Sequence, residues 1–403
     1  MQAQYHNVIL FGAGASWDAG IPLMNQFVDA MWNYAFRGKV GNTPISDADR
    51  AILVDANKIR DDLERYNSRA FFDNRNLEDI LSLLSFEALG NESQTPRYQT
   101  VVKAIARTIE LSCAFKHRQE GFVVPPDHNS HYHAFWNVLL SGKFKDNLPA
   151  LITFNYDLVF ERTLWEFFHH LNDAPRRPNV QSCGLKYSFG LNDCSMRKTH
   201  KQYDIPVNDR LSNVKPGQKA EFIITTDGEN FSNQKTEADI PYFKLHGSLN
   251  WSQEFPRTRP SRLPIEALEK PLILPPVFNK MSATEINCVW KSALDVLRSA
   301  VNIIIVGYSL PETDIYMQYF LKAAVGPNSN LQNIIVFDPE LYRDGEKCEA
   351  MISRYRECFS PQFSSRIIFQ PTSEPSIGEP DRGTFANFVW CLEKIPEALC
   401  FFP

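Results

Sequence analysis

The stretch NVILFGAGASWDAGIP, residues 7–22, decides how the rest of the chain is read. Residues 7–11 are a short apolar run that stops at Gly12, and apolar positions then recur at helical spacing from about Ile21 to Phe36, so the segment reads as strand, glycine turn, helix. Gly12 and Gly14 permit a tight turn and close backbone approach, and a helix N-terminus just beyond offers N–H groups to a diphosphate. The general dinucleotide fingerprint asks for a third glycine where this chain has Trp17. Alone, the GAG turn is compatible with a phosphate cradle or with a plain strand-to-helix turn.

Three further apolar strands end in polar, small or titratable residues. ALITF leads into Asn155 and Asp157, YFKL into His246, Gly247 and Ser248, and NIIIV into Gly307 and Ser309. Asn offers a donor and an acceptor, which suits ribose hydroxyls or a carboxamide, while ionised Asp only accepts. The competing reading makes Asn155 the cap of the next helix, and taken alone its position favours the cap. His246 is a candidate base near neutral pH, although a single histidine at a strand end is more often structural. Ser309 and nearby N–H groups suit a second phosphate or an adenosine ribose. Asp338, at the end of NIIVF, could accept from that ribose or serve ordinary turn chemistry, and Asp314 reads as a helix cap.

In the last third, apolar strands alternate with amphipathic helices near 283–300, 314–324, 340–357 and 383–396. This pattern gives the fold class: α/β, a Rossmann-like parallel sheet with helices on both faces. Ligands of such sheets sit at the carboxyl ends of the strands, where all four motifs fall. Residues 1–36 form the first βα unit and residues 37–149 a helical insertion with three helical patterns and no convincing strand. Residues 150–171 and 241–403 supply the remainder of the sheet domain, and 172–240, polar with β-like pieces such as EFIITT, reads as a small inserted module or ordered loops. The proline-rich stretch 256–276 is expected to wrap the surface without regular structure. The tail FVWCLEKIPEALCFFP either closes this domain or lies in a subunit interface, the first being slightly favoured.

Composition bounds the alternatives. With 403 residues, 43% hydrophobic, the chain can bury a large core. The formal charge of −5 carries no long run of one sign, so direct nucleic-acid binding is not expected, and Arg176, Arg177, Lys186, Arg197, Lys198 and Lys201 read as a solvated loop. The eight cysteines contain no C-x-x-C pair, which argues against a disulfide framework or zinc site. His131 and His133 have no partner at metal-ligand spacing and read as helix-start residues. No apolar run reaches the roughly 18 residues of a membrane span, and no leader precedes the first strand, so cytoplasmic residence is expected.

In combination the motifs resemble the sirtuin family, in which GAG-x-S, three residues, then GIP is followed by a QN-I-D-like segment, an HG and a glycine-serine turn. Here they stand as GAGAS-WDA-GIP, FNYD, LHGS and GYSL in the same order, over the sheet-forming half of the chain. Leu23-Met24-Asn25 replaces the Asp-Phe-Arg segment of the deacylases, and their zinc ribbon of paired C-x-x-C is missing. These departures resemble the divergent bacterial sirtuin-like domains of antiphage defence, which cleave NAD+. The resemblance implies catalytic roles for Asn155, His246 and Asp157. It implies dinucleotide contacts from Gly12, Ala13, Gly14, Ser16, Asp18, Pro22, Gly307, Ser309 and Asp338. NAD+ would be the substrate, no metal or other cofactor would be needed, and the protein would act as a homo-oligomer gated by a partner such as a HerA-like ATPase or an Argonaute. An NAD or ADP-ribose sensor, or an assembly scaffold without turnover, stays open as the alternative. A deacylase or ADP-ribosyltransferase would need an acceptor groove that has no signature in the sequence.

Overall fold

The computed structural model describes residues 6–66, 72–90, 95–118, 121–123, 130–140, 144, 147–171, 183–187, 203–206, 221–226, 238–252, 267–269, 271–274, 286–312, 314–341, 348–370, 380–394 and 396. Strand β1 (Asn7–Phe11) is followed by a 3-10 turn at Ala13–Ala19 and helix α1 (Met24–Arg37). A small hairpin, β2 (Lys39–Val40) and β3 (Thr43–Pro44), leads to α2 (Asp47–Tyr66), α3 (Leu77–Gly90) and α4 (Thr95–Ser112). A second hairpin, β4 (Lys116–Arg118) and β5 (Gly121–Val123), precedes α5 (Ser130–Leu140). Then come β6 (Ala150–Thr153), α6 (Val159–Leu171), β7 (Cys183–Tyr187), β8 (Tyr203–Pro206), β9 (Glu221–Thr226) and β10 (Ala238–Lys244). Hairpin β11 (Gly247–Ser252) and β12 (Pro271–Ile273) leads to α7 (Asn287–Ser299), β13 (Asn302–Val306), α8 (Ile315–Val325) and β14 (Asn333–Phe337). The described chain closes with α9 (Glu349–Glu357), α10 (Pro361–Ser364), β15 (Ile367–Gln370) and α11 (Phe385–Lys394).

Nine strands form one sheet in the order β15-β14-β13-β1-β6-β10-β7-β9-β8, parallel throughout except for β8 at the edge. The expected α/β, Rossmann-like architecture is therefore what the chain adopts. Strands β1, β6 and β13 are buried along their whole length, as a parallel sheet covered on both faces requires. The polar first residues of β1, β13 and β14 are paired in register: Asn302 Nδ2 donates to Asn7 Oδ1 and Asn333 Nδ2 to Asn302 Oδ1, each at 3.0 Å. This asparagine ladder satisfies amide groups that would cost about 1–3 kcal/mol each if buried alone. On one side of β1 the Phe11 ring stacks on Phe160 at 4.4 Å, and Tyr132, Phe135 and Phe385 complete an aromatic layer joining α5, α6 and α11.

Several expectations are revised. Among the described residues between 37 and 149 there are four helices, where three patterns are legible, and two short hairpins. The helix the periodicity misses, α2, is densely charged, and its buried apolar side chains are confined to Leu53, Ala56 and Leu63. Within 172–240 the described strands β7, β8 and β9 lengthen the main sheet instead of building a separate module. Pro271–Ile273, inside the proline-rich stretch, is a buried strand against β11, and residues 253–266 lie outside the described residues. So do the basic residues 176, 177, 197, 198 and 201 and the tail from 397 onward. On α11, Phe385 and, from the tail, Phe388, Val389 and Leu392 are buried. No helix among the described residues is long and apolar enough to cross a membrane.

Candidate functional site

From β1 the chain passes to β6 and β10 on one side, then returns to β13, β14 and β15 on the other. The reversal lies between β1 and β13, the kind of crevice where α/β sheets hold ligands. Two turns meet there. Gly12 N donates to Val306 O and Gly14 N to Gly307 O, both at 2.9 Å, while Ala15 N bonds back to Gly12 O at 3.0 Å. A Cβ on Gly12 would lie 2.4 Å from Gly307 O, and one on Gly307, at φ +66°, would lie 2.4 Å from Ala15 N. The glycines are thus required by the approach of the two turns to each other. Neighbouring carbonyls take both N–H groups, so any approach of a diphosphate to Gly12 and Gly14 would not use those donors. Moreover, the turn after Gly12 is a 3-10 helix ending at Gly20, and α1 begins only at Met24. Ala13 is exposed at the tip, Trp17 is 45% exposed, Pro22 is half-buried, and Asp18 is half-buried with its charge acting on buried Tyr132.

Asn155 follows β6 and spans this junction. Its Nδ2 donates to Gly12 O and to Ser16 Oγ, both at 2.9 Å, and its backbone N–H to Thr153 Oγ1 at 3.0 Å. Because Gly12 O can only accept, the amide orientation is fixed with nitrogen toward the turn. The Oδ1 atom takes no hydrogen bond among the described residues and is left as an acceptor. Asn155 is therefore not the helix cap. That place belongs to Asp157, 4% exposed, whose Oδ1 accepts from Val159 N at 3.0 Å. The Asp157 side chain thereby supports the loop that carries Asn155.

His246 stands at the end of β10, 6% exposed. Leu245 N donates to Thr153 O at 2.9 Å, and Leu274 N to His246 O at 2.8 Å, fixing the backbone on both sides. The imidazole packs among Phe154, Tyr156 and Trp290, with ring centroids 5.7, 6.1 and 6.0 Å away. Phe154 and Tyr156 flank Asn155 in sequence, so the loop that carries Asn155 also packs against His246. Tyr156 OH donates to Leu274 O at 2.7 Å and straps the loop to the chain following β12.

Beyond the reversal, Leu310 is buried with φ +48°, a left-handed conformation that costs a branched residue about 1–2 kcal/mol. It is held by its neighbours: Tyr308 OH donates to Asp314 Oδ2 at 2.8 Å, Tyr355 OH to Tyr308 O, and Arg354 Nη2 to Ser309 O at 3.2 Å. Asp314 also caps α8 through Met317 N at 3.3 Å, the role read from the sequence. Asp338, at the end of β14, accepts from Glu340 N at 2.9 Å, which is turn chemistry. Burial pushes its carboxyl up to about 7, with the Glu340 N–H and the Arg354 charge pulling the other way.

The supporting residues Arg354, Tyr355 and Trp290 carry no signal of their own in the sequence. Phe154, Tyr156 and Tyr308 stand inside recognisable motifs, FNYD and GYSL. His133 is not without an acidic neighbour, because its Nε2 lies 3.6 Å from Glu166 Oε2 on α6. Among the described residues no group of three or more His, Cys, Asp or Glu side chains could hold a metal ion, and cysteines 113, 288, 348, 358 and 391 are free thiols.

No family model matches the chain, and no curated protein matches it. Solved structures do align with it. One, from "Structural Basis for the Mechanism and Regulation of Sir2 Enzymes", is 12% identical over 98% of this chain and 94% of that chain, with a TM-score of 0.36. Another, "Crystal structure of a Sir2 homolog-NAD complex", is 13% identical over 98% of this chain and 90% of that chain, with a TM-score of 0.33. Likenesses this low carry no argument about chemistry.

Proposed function

We propose that this chain is a sirtuin-like NAD+ glycohydrolase, releasing nicotinamide and ADP-ribose or a cyclic variant of it. The observation that carries the reading is Asn155, whose amide nitrogen is bonded to Gly12 O and Ser16 Oγ while Oδ1 is left as an acceptor at the carboxyl end of β6. The scissile bond joins the ribose C1′ to the pyridinium nitrogen. As it breaks, its electron pair goes to that nitrogen, nicotinamide leaves neutral, and positive charge develops on the ribose. Asn155 Oδ1 would accept from a ribose hydroxyl or the incoming water, His246 would take the water proton as the new C–O bond forms, and the fixed dipoles would stabilise the transition state more than the ground state. No metal is needed, since the leaving group is already cationic. The diphosphate would lie over Ala13 and the turn at Ser309, and the adenosine end toward Asp338.

The cellular role we infer is an NAD-depleting effector of antiphage defence, cytoplasmic, assembled as a homo-oligomer and held off until a partner such as a HerA-like ATPase engages it. The decisive experiment follows nicotinamide and ADP-ribose on incubating NAD+ with the purified chain, alone and with its genomic neighbour, against Asn155→Ala and His246→Ala. Release of both products, lost in the variants, is expected. One observation favours a second reading: His246 is only 6% exposed, packed among Phe154, Tyr156 and Trp290. Tight ADP-ribose binding without nicotinamide release under either condition would make the protein a sensor or scaffold.

A further inference from the structure

Beneath the two catalytic candidates lies a buried polar chain that the proposed reaction does not use. Lys244, on β10, and Glu161, on α6, are both fully buried and paired at 2.9 Å. The same Lys244 ammonium donates to the backbone carbonyl of Asp157 and lies 5.6 Å from the centroid of the Tyr242 ring. Glu161 Oε1 also accepts from Tyr187 OH at 2.8 Å, Tyr187 OH accepts from Asn250 Nδ2 at 3.0 Å, and Asn250 Oδ1 accepts from Ser248 Oγ at 2.6 Å. The chain of bonds therefore starts two residues from Asn155 and ends two residues from His246. Glu161 Oε2 has no hydrogen-bond partner among the described residues.

A buried ion pair is a poor source of stability, because desolvating two charges offsets most of their attraction, and apolar replacement of both partners is often neutral or stabilising. What such a pair supplies well is a defined geometry. Here the ammonium has a carbonyl, a carboxylate and a ring face as neighbours, and the three belong to the 157 loop, α6 and β10. Moving any one of them breaks a bond that water cannot replace.

We infer that Lys244, with Glu161, is a positioning residue: it sets the Asn155 loop against the His246 turn without touching substrate. This rests on the NAD+-cleaving reading for its activity assay, though not for its structural assay. The test compares wild type with Lys244→Met/Glu161→Leu, which removes both charges at similar volume, and with Tyr187→Phe, which cuts the chain at one hydroxyl and keeps the ring. The double variant is expected to stay folded and to bind ADP-ribose as wild type does, melting somewhat lower because the buried Tyr187 hydroxyl and the Asp157 carbonyl lose their partners along with the charge pair. Its kcat is expected to fall about a hundredfold, the scale of a displacement near one ångström between reacting groups. Tyr187→Phe should show a smaller fall of the same kind, in kcat and not in KM. Hydrogen–deuterium exchange over residues 153–157 and 246–250 should rise in both variants. Wild-type kcat with unchanged exchange in a folded double variant would overturn the inference, leaving Lys244 structural. Wild type that neither cleaves NAD+ nor binds ADP-ribose would overturn the functional reading instead, and the exchange data would still decide the positioning role. Should the double variant fail to fold, Tyr187→Phe carries the same decision.

Discussion

Replacing Asn155 by aspartate keeps the shape of the side chain and reverses its hydrogen-bonding character at one end. The nitrogen that donates to Gly12 O and Ser16 Oγ, each at 2.9 Å, becomes an oxygen. The hydrogen bond to Gly12 O is lost, worth about 1 kcal/mol net, while the Ser16 hydroxyl can turn to donate to the new oxygen, and that oxygen faces the Gly12 carbonyl at a further cost of about 1–2 kcal/mol. The sum, about 2–3 kcal/mol, corresponds to a fall in melting temperature of several degrees. Turnover of NAD+ should fall about a hundredfold or more, since the remaining oxygen no longer has a fixed direction. The variant also carries a pH signature. Only the protonated acid can donate to Gly12 O, so folding raises the affinity of the introduced carboxylate for its proton, and the protonated state supplies stability that is lost as pH rises. The stability gap between variant and wild type should therefore narrow as pH falls from about 8 to about 5. Calorimetry across that range, with nicotinamide release measured beside it, checks both parts. A variant as stable as wild type at every pH would refute the assigned hydrogen bonds, and full turnover would remove Asn155 from the mechanism.

Asp338 gives a second pH dependence in the wild type. Its carboxyl is raised from 3.8 to about 7, so the folded chain holds a proton that the unfolded chain releases, and the stability this confers is complete below about pH 4 and lost as pH rises through 7. Urea denaturation of Asp338→Asn should show a flatter profile than wild type between those limits, by on the order of 4 kcal/mol, and parallel profiles would discount the burial argument. Gly307→Ala places a Cβ 2.4 Å from Ala15 N at a positive φ, and should cost about 2–4 kcal/mol while separating the two turns. An unchanged melting temperature would mean the turns do not meet as described. Arg162, fully buried, donates to both Glu110 oxygens at 2.8 and 3.0 Å and to Phe115 O. Arg162→Met alone should therefore destabilise by about 3–5 kcal/mol, and equilibrium unfolding within about 1 kcal/mol of wild type would contradict the pairing. Prolonged treatment with EDTA should change neither melting temperature nor turnover, and a drop in either would reveal a metal ion in the chain.

The sheet is legible in the sequence because its strands are extreme. NVILF, ALIT, NIIIV and NIIVF are apolar runs of four or five residues rich in β-branched side chains, and a glycine, asparagine or aspartate follows each within two positions. Helix α2 is hidden among charges instead. Its apolar positions, buried Leu53, Ala56 and Leu63 with half-buried Ile52, Val54 and Ile59, recur at helical spacing and pack on α1 and α4, yet no run of them stands out from the charged residues between. Strand Pro271–Ile273 is hidden by the prolines around it. Proline bars a residue from donating in a ladder, yet at the first position of an edge strand that donor is not needed.

At the site, sequence marks the residues and leaves open which partners several of them take. The spacing of Gly12, Gly14 and Ser16 reads as a cradle for an outside anion, but the partner of those glycines is another turn of the same chain, far along the sequence at Gly307. No local pattern distinguishes a backbone that approaches a phosphate from one that approaches a carbonyl, because both demand the same missing Cβ. Asn155 and Asp157 show the same limit. Either can cap a helix, and which one does so is decided by Gly12 O and Ser16 Oγ, which claim the Asn155 amide and leave the cap to Asp157. What sequence could not contain at all is the link between the two catalytic candidates. Lys244 and Glu161 lie 83 positions apart, and each alone reads as an ordinary charged residue beside a motif. Only the closed sheet, by burying both, turns them into a constraint on where Asn155 and His246 stand.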